Sequence, residues 1–342
     1  MRALRSSFQR KAIRALGMRS ENVIGVADLL GRRDSPLHLV KEISKPEFYE
    51  WRDRRSGFIE AIAHGPIRIF QIDAAIVDLE YAAVYLPNGK LIAESTVWTS
   101  LRFLMNNPRP PSGGDTDYSD GFSVLPNSSF YHFLTEDLPR VGWILENFAD
   151  RKLICRDGAS RYVVDSAQLL GTEVTETRAT HLEVRGYPFV SFPTASSGWP
   201  ARNTVDFVRN LGLRSTLARS PQKGNKIYVS RLQDSRSPVN ERDVIQLAEH
   251  HGFQAIQAED FPLLDQIALF ASADEILGVH GAGLSNLVWM PTGGKVIEIM
   301  SPEYYNSCYQ WLSQRVGHQH VTVMNSIDSP DTVDLSAVES VL

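Results

Sequence analysis

The sequence is short of cysteine. Cys155 and Cys308 are the only two in 342 residues, too few and too far apart for a disulfide framework or a cysteine-based zinc site. A reducing, cytoplasmic setting is the simplest expectation. Long apolar runs are missing as well. No stretch approaches the roughly 18 apolar residues of a membrane-spanning helix, and the first residues lack the apolar core of a secretory signal. With no signal, the sequon at Asn127-Ser128-Ser129 reads as a chance match. Neither sign of charge dominates, since the net charge is −5, and such a balance gives no footprint for nucleic acid. Apolar residues at 43% and charged residues at 22% exclude disordered and collagen-like classes. No internal repeat is visible.

What charge there is lies unevenly. Residues 1–20 carry six Arg/Lys and no acid, and the last 18 residues carry four acids and no base. Leu4, Phe8, Ala12 and Ile13 fall near helical spacing among Arg2, Arg5, Arg10, Lys11 and Arg14. Three readings stand: a helix making reversible peripheral contact with an anionic membrane, a solvated basic segment, or a short helix docked on its own protein. At roughly 150 residues per domain, the length suggests two domains. The polar stretch from Arg214 to Asn225, with Pro221 and Gly224, is the best linker between them. The expected organisation is a basic amphipathic segment over 1–20, an N-terminal domain over 21–215, a C-terminal domain over 216–325 and an acidic tail over 326–342.

Gln71 to Ser95 reads as strands, with a turn at Pro87-Asn88-Gly89. A Pro/Gly/Asp-rich loop follows, from Asn106 to Gly121. Its Asp115-Thr116-Asp117 resembles a metal-holding Asp-x-Asp, but no hydrophobic strand leads into it. As a calcium loop it fails, because Asp120 and Pro126 stand where the glycine and the bidentate glutamate belong. Beyond the linker the pattern becomes regular. KIYVS, FQAIQA, EILGV and KVIEIM read as strands; NERDVIQLAEHHG (N-cap Asn240), LLDQIALFASA and GLSNLVWM read as helices. Strands alternating with helices predict an α/β fold with a mainly parallel sheet, whose ligands bind at the carboxyl ends of the strands.

Candidate residues sit at those ends. After EILGV come His280-Gly281-Ala282-Gly283, where amides at a helix start would favour a phosphate; a tight turn with no ligand explains the glycines equally well. Asn286 occupies the place of the third glycine of a dinucleotide fingerprint. Arg231 and Arg236 follow KIYVS, suited to phosphate oxygens or to surface ion pairs. Glu298 in KVIEIM could accept from a ribose or form a salt bridge. Earlier in the chain, His132 and Glu136 lie at i and i+4 on one predicted helix face, either as a proton-accepting couple or as a surface pair. His318 and His320 read as a solvated strand edge rather than a metal site.

FYHFLTEDLPR, YVSR with Arg236, Asn240 and Glu241, and HGAGLSNLVWMPTGGKVIEIM resemble, in this order along the chain, three blocks of glycosyltransferase family 61, covering roughly residues 120–325. The resemblance implies a GT-B architecture, two Rossmann-like domains facing a cleft. It implies a nucleoside-diphosphate sugar as donor, no further cofactor, and inverting, metal-independent transfer to a glycan or lipid-linked oligosaccharide hydroxyl, as in bacterial capsule or surface polysaccharide synthesis. On that reading Glu136 is the general base, with His132 orienting or replacing it and Asp137 as the neighbouring acid. Arg231, Arg236, Glu298 and the block His280, Gly281, Ala282, Gly283 and Leu284 hold the donor. Two rivals remain: a non-catalytic assembly protein that keeps the fold, and a nicotinamide-dependent oxidoreductase.

Overall fold

Strand-forming residues in the N-terminal half are β-branched and aromatic, and they build several small sheets. In chain order these elements are β1 (Val23–Ile24), α1 (Val26–Leu30), β2 (Leu37–Glu42), β3 (Glu47–Arg52), β4 (Ile59–His64), β5 (Arg68–Asp78), β6 (Val84–Tyr85) and β7 (Leu91–Ile92). The computed structural model describes residues 23–45, 47–52, 59–64, 66–96, 121–191, 199–216, 225–232 and 236–342. The basic segment, Asp115, Asp117, Asp120 and most of the expected linker lie outside the described residues.

The chain continues with β8 (Phe122–Val124), the helix α2 and β9 (Lys152–Arg156). Helix α2 runs without a break through Phe130–His132, a π-helical turn at Phe133–Asp137, and Leu138–Asn147. Next come α3 (Arg161–Leu169), β10 (Val174–Thr177), β11 (His181–Val190) and α4 (Arg202–Thr216). β8, β9 and β10 form a parallel βαβαβ unit, whereas β1, β7, β6, β5, β11 and β2 form a six-stranded, largely antiparallel sheet. The N-terminal half is thus mixed α/β rather than one doubly wound sheet. β5 explains the mixture: its eleven residues pair along most of their length with β11 in antiparallel register.

The C-terminal half follows the sequence pattern closely. It contains β12 (Asn225–Val229), α5 (Glu241–His250), β13 (Phe253–Ile256), α6 (Leu263–Ala271), β14 (Ala273–Val279), β15 (Lys295–Met300), α7 (Cys308–Val316), β16 (Gln319–Met324) and α8 (Leu335–Glu339). All pairings in the sheet β13-β12-β14-β15-β16 are parallel. From β12 the chain first moves to one side and then crosses back to β14, so the order reverses between β12 and β14. Such a reversal opens a crevice at the strand carboxyl ends. Residues after β14 form a 3-10 helix, Ala282–Trp289, where a short helix was expected.

Two further expectations change. The acidic segment is no tail: Val333 and Val338 are buried in the same apolar cluster as Tyr228, Val244 and Leu277. Asn240 does not cap α5 with its side chain. Its amide instead exchanges two 2.9 Å hydrogen bonds with the backbone of Val333, which pins the C-terminal segment to α5. The charges that suggested a tail simply occupy its outer face.

The two halves share one core. Leu134, Leu138 and Val141 of α2, Val205 and Val208 of α4, Val229 of β12 and Leu284, Leu287 and Trp289 of the 3-10 helix belong to a single cluster of buried residues. Helix α4 is the bridge. Its Phe207 ring lies on the backbone of Gly142 in α2, its Gly212 accepts the Trp289 ring, and Arg209 donates to the carbonyls of Val288 (2.6 Å) and Met290 (3.0 Å). Replacing a helical glycine with alanine ordinarily stabilises by about 1 kcal/mol. At Gly212 the new methyl would overlap Cε3 and Cζ3 of Trp289, a rigid ring in a filled core. Gly212→Ala is therefore expected to destabilise by about 1–3 kcal/mol, read from urea unfolding of the two proteins; a gain in stability would show that α4 does not seat on Trp289.

Candidate active site

At the end of β12 the chain would enter solvent, but Glu241 holds it. This carboxylate, buried at the first turn of α5, accepts from the Tyr228 hydroxyl (3.2 Å), the Ser230 hydroxyl (2.9 Å), the Arg231 amide (2.5 Å) and the Ser237 hydroxyl. Four donors offset the desolvation of a carboxylate and fix the direction in which Arg231 leaves the strand. Its guanidinium then crosses to β14 and donates to the carbonyl of His280.

That crossing explains the glycines. A Cβ on Gly281 would stand 2.5 Å from Nη1 and 2.8 Å from Cζ of Arg231, and one on Gly283 would stand 2.8 Å from Cγ1 of Val229. The space that suggested an approaching ligand is filled by the protein's own arginine and strand. Ala282 and Leu284 open the 3-10 helix, with Leu284 fully buried. Asn286, buried, binds Gln266 (3.0 Å) and Trp289 (3.1 Å) and has a packing role. Arg236 is exposed.

Glu298 is not on the rim. It is 0% exposed because β15 is a central strand, covered on both faces as parallel strands are. Nδ1 of His280 lies 2.5 Å from one carboxylate oxygen and Nε2 of His320 lies 3.1 Å from the other. Burial alone would raise this carboxyl, but the two histidines, His280 first, outweigh it and hold the group below its usual range. A ribose contact from Glu298 is excluded by this burial. His318 and His320, expected at a solvated edge, are both buried: β16 is an edge in hydrogen bonding only, and α7 covers its face. His318 accordingly has its protonation pushed down to about 4, chiefly by burial.

From the N-terminal half, the π-helical turn of α2 brings in the second couple. Nδ1 of His132 lies 3.1 Å from Oε2 of Glu136, as the i, i+4 spacing predicts. Their burial is unequal: the Glu136 side chain is 0% exposed and that of His132 is 18% exposed. Burial lowers the imidazole's proton affinity, yet the hydrogen bond and charge of Glu136, with Asp137, carry it above the usual histidine value. Asp137 turns away into the core, where it accepts from Ser128 (2.6 Å) and Arg140 (3.4 Å). Arg140 in turn donates to the carbonyls of Ser95 (2.5 Å) and Val190 (3.1 Å), fastening α2 to the antiparallel sheet.

Aromatic rings connect the two histidine centres. Tyr131 stands edge-on to His132 and to Tyr309, with 5.5 Å between centroids in each pair, and Tyr309 touches His280 at 5.1 Å. Burial raises both phenols well above their usual range, so both stay neutral. The structure therefore gathers His132, Glu136, Arg231, His280 and the Gly281–Gly283 turn around one place. It puts Asp137 and Glu298 behind that place and leaves Arg236 on the surface. Sequence reasoning overlooked Tyr131 and Tyr309 as its surroundings, read His320 as a solvated edge, and gave Glu241 no role of its own. Glu241, placed directly after a helix-capping position, was the one with a readable signal.

Residues 130–297 match the family model Glycosyltransferase 61. The match starts in α2, takes in His132, Glu136, Asp137, Arg231 and the His280–Gly283 turn, and ends one residue before Glu298. The chain is also similar to the EGF domain-specific O-linked N-acetylglucosamine transferase of Drosophila melanogaster, 29% identical over 108 residues, 30% of this chain and 21% of that protein. It is similar to the rice alpha-1,3-arabinosyltransferases XAT2, at 26% over 133 residues (35% and 23% of the two chains), and XAT3, at 29% over 90 residues (25% and 16%). The matched segments thus span under a quarter of each relative's length.

Asp137 gives a test of the geometry that needs no substrate. Burial raises its carboxyl from 3.8 to about 6, against the lowering effects of Arg140 and Ser128. With its folded value raised, the group's stabilising contribution is complete below pH 3.8 and is lost as pH rises through about 6. Asp137→Asn cannot titrate. Relative to the parent, it is expected to gain about 2 kcal/mol between pH 4 and pH 7, measured by urea unfolding at both pH values. A parent–variant difference independent of pH would place Asp137 in solvent.

Proposed function

We propose that the protein transfers a sugar from a nucleoside-diphosphate donor to a hydroxyl group of a glycan or lipid-linked oligosaccharide. The reading is carried by one observation: Arg231 and the His280–Gly283 turn meet at the order reversal of a parallel sheet, inside the segment that matches a glycosyltransferase family. In this reading the two halves act as the acceptor and donor sides of a GT-B-like enzyme. Its capsular or surface-polysaccharide role, and a cytoplasmic place peripheral to the membrane through residues 1–20, belong to the same proposal. Cys155 and Cys308, free and buried, suit a reducing compartment.

The chemistry follows from burial. The acceptor oxygen attacks the anomeric carbon as the bond to the diphosphate breaks on the opposite face, which inverts the configuration. The acceptor's proton passes to Nε2 of His132, because a carboxylate only accepts and so Nδ1 carries the hydrogen shared with Glu136. Glu136, fully buried, backs the imidazole rather than meeting the acceptor. Negative charge on the leaving diphosphate is met by Arg231, the His280 imidazole and amides of the Gly281–Gly283 turn, each such donor being worth about 3 kcal/mol. These groups supply the positive charge without a metal ion.

His132→Ala is expected to lower turnover by about 10²–10⁴-fold with donor binding unchanged. Glu136→Gln removes the partner that raises the imidazole, so the acid limb of the kcat/KM profile moves to lower pH while turnover falls. An unmoved limb would return the base role to another group.

The function itself is tested with a thermal-shift panel of nucleoside diphosphates and nucleotide sugars, followed by transfer assays in EDTA. At least one nucleoside diphosphate should raise Tm, and Arg231→Ala should weaken it roughly 10- to 100-fold. Transfer should survive EDTA. No binding by any nucleotide, or activity that returns only with added metal, would contradict the proposal.

A further inference from the structure

Behind His280 lies a row of buried polar side chains that transfer as written does not require. His280 reaches Glu298 through Nδ1, and Glu298 reaches His320 through its other oxygen. Nδ1 of His320 is 3.0 Å from the Ser313 hydroxyl of α7. Ser313, Glu298 and His320 are all buried, so each hydrogen in the row must find an acceptor. One arrangement of hydrogens suits the row, in which Nε2 of His320 and the carboxylate oxygen face each other at 3.1 Å as an ion-pair contact without the alignment of a hydrogen bond. A carboxylate only accepts, so His280 donates from Nδ1, and the hydrogen on Nε2 of His320 faces the other oxygen. A hydroxyl can donate, so Ser313 gives its hydrogen to Nδ1 of His320.

We propose that His320 is a positioning residue for His280, acting through Glu298. Its Nε2–H, held in that tautomer by Ser313, faces one carboxylate oxygen at 3.1 Å and leaves the other to grip His280 Nδ1–H, which turns His280 Nε2 outward as the proton-bearing contact for a phosphate group. The coupling is a property of the folded chain, and only the identity of the phosphate rests on the proposed transfer reaction. A merely space-filling side chain would need neither nitrogen. The sequence reading of His318-x-His320 as an exposed edge had no place for this role.

The groups facing the row are few. Arg231 of the β12 end bonds the His280 carbonyl. The Tyr304 and Tyr309 rings lie against the His280 ring. The Cys308 thiol of α7 faces Glu298, and burial keeps it neutral. His318, just before β16, faces His320. Apart from Glu298 itself, Arg231 is the charge that contacts His280, and it is unaltered by changes at His320.

The test follows the ring-carbon signal of His280 against pH in the full-length protein labelled with ¹³C-histidine, without donor or acceptor. The signal is identified by its loss in His280→Asn. In His320→Leu the carboxylate loses a donor, so deprotonating His280 would leave a poorly satisfied buried anion. The protonation midpoint of His280 should rise by about one pH unit. His320→Gln, whose amide keeps an N–H donor, should return it to the parent value. Ser313→Ala should shift it in the same direction by less, and decides the matter if His320→Leu does not fold. An unchanged midpoint in the Leu and Ala variants, or an equal shift in Leu and Gln, would overturn the proposal. Because no nucleotide is present, this result is independent of whether the protein is a transferase.

Discussion

The guanidinium of Arg231, laid over Gly281 and bonded to the carbonyl of His280, ties together the two strand ends between which the parallel sheet reverses its order. Much of the site depends on that crossing. It requires a residue without a Cβ at Gly281, and it requires a strand end that does not fray. The second condition is met by Glu241, whose four hydrogen bonds gather the strand end and the first turn of α5 onto one carboxylate. A buried carboxylate left with fewer partners would cost several kcal/mol, so strand, loop and helix hold or fail together.

The same device, a buried acid held by specific donors, recurs at every part of the site. Glu136 backs His132, Asp137 binds Ser128 and Arg140, and Glu298 sits between two histidines. For Glu136 and Glu298 the acid is inside and a histidine lies nearer to solvent. Burial makes these acids unsuitable for direct contact with a substrate and suitable for orienting their partners. The neutral rings of Tyr131 and Tyr309 then pack the two histidine centres together, and helix α4 keeps the surrounding halves in one core.

Much of this was legible from residue order. The βαβ alternation after Asn225 and the His132–Glu136 pairing follow from periodicity, and both have strong local signals. Burial was less legible. Glu298 and His320 lie in an alternation that reads equally well as rim or interior, and only the covering by α7 and the neighbouring strands settles it. The glycines of His280-Gly281-Ala282-Gly283 posed a similar ambiguity, because sequence shows that a Cβ is missing but not what fills its space. The antiparallel sheet around β5 was hidden for another reason: its pairing with β11 joins residues about a hundred positions apart, beyond any local pattern. The acidic C-terminus misled because composition reports the outer face of a segment and not the two buried valines beneath it.

The central claim is that phosphate binds where Arg231 crosses from β12 to β14. The most direct measurement is a crystal structure of the full chain with the nucleoside diphosphate that binds it best. The account predicts diphosphate oxygens within hydrogen-bond distance of the Arg231 guanidinium and the His280–Gly283 turn, with His132 across from them. A diphosphate seated elsewhere on the chain, with the Arg231 crossing untouched, would contradict it.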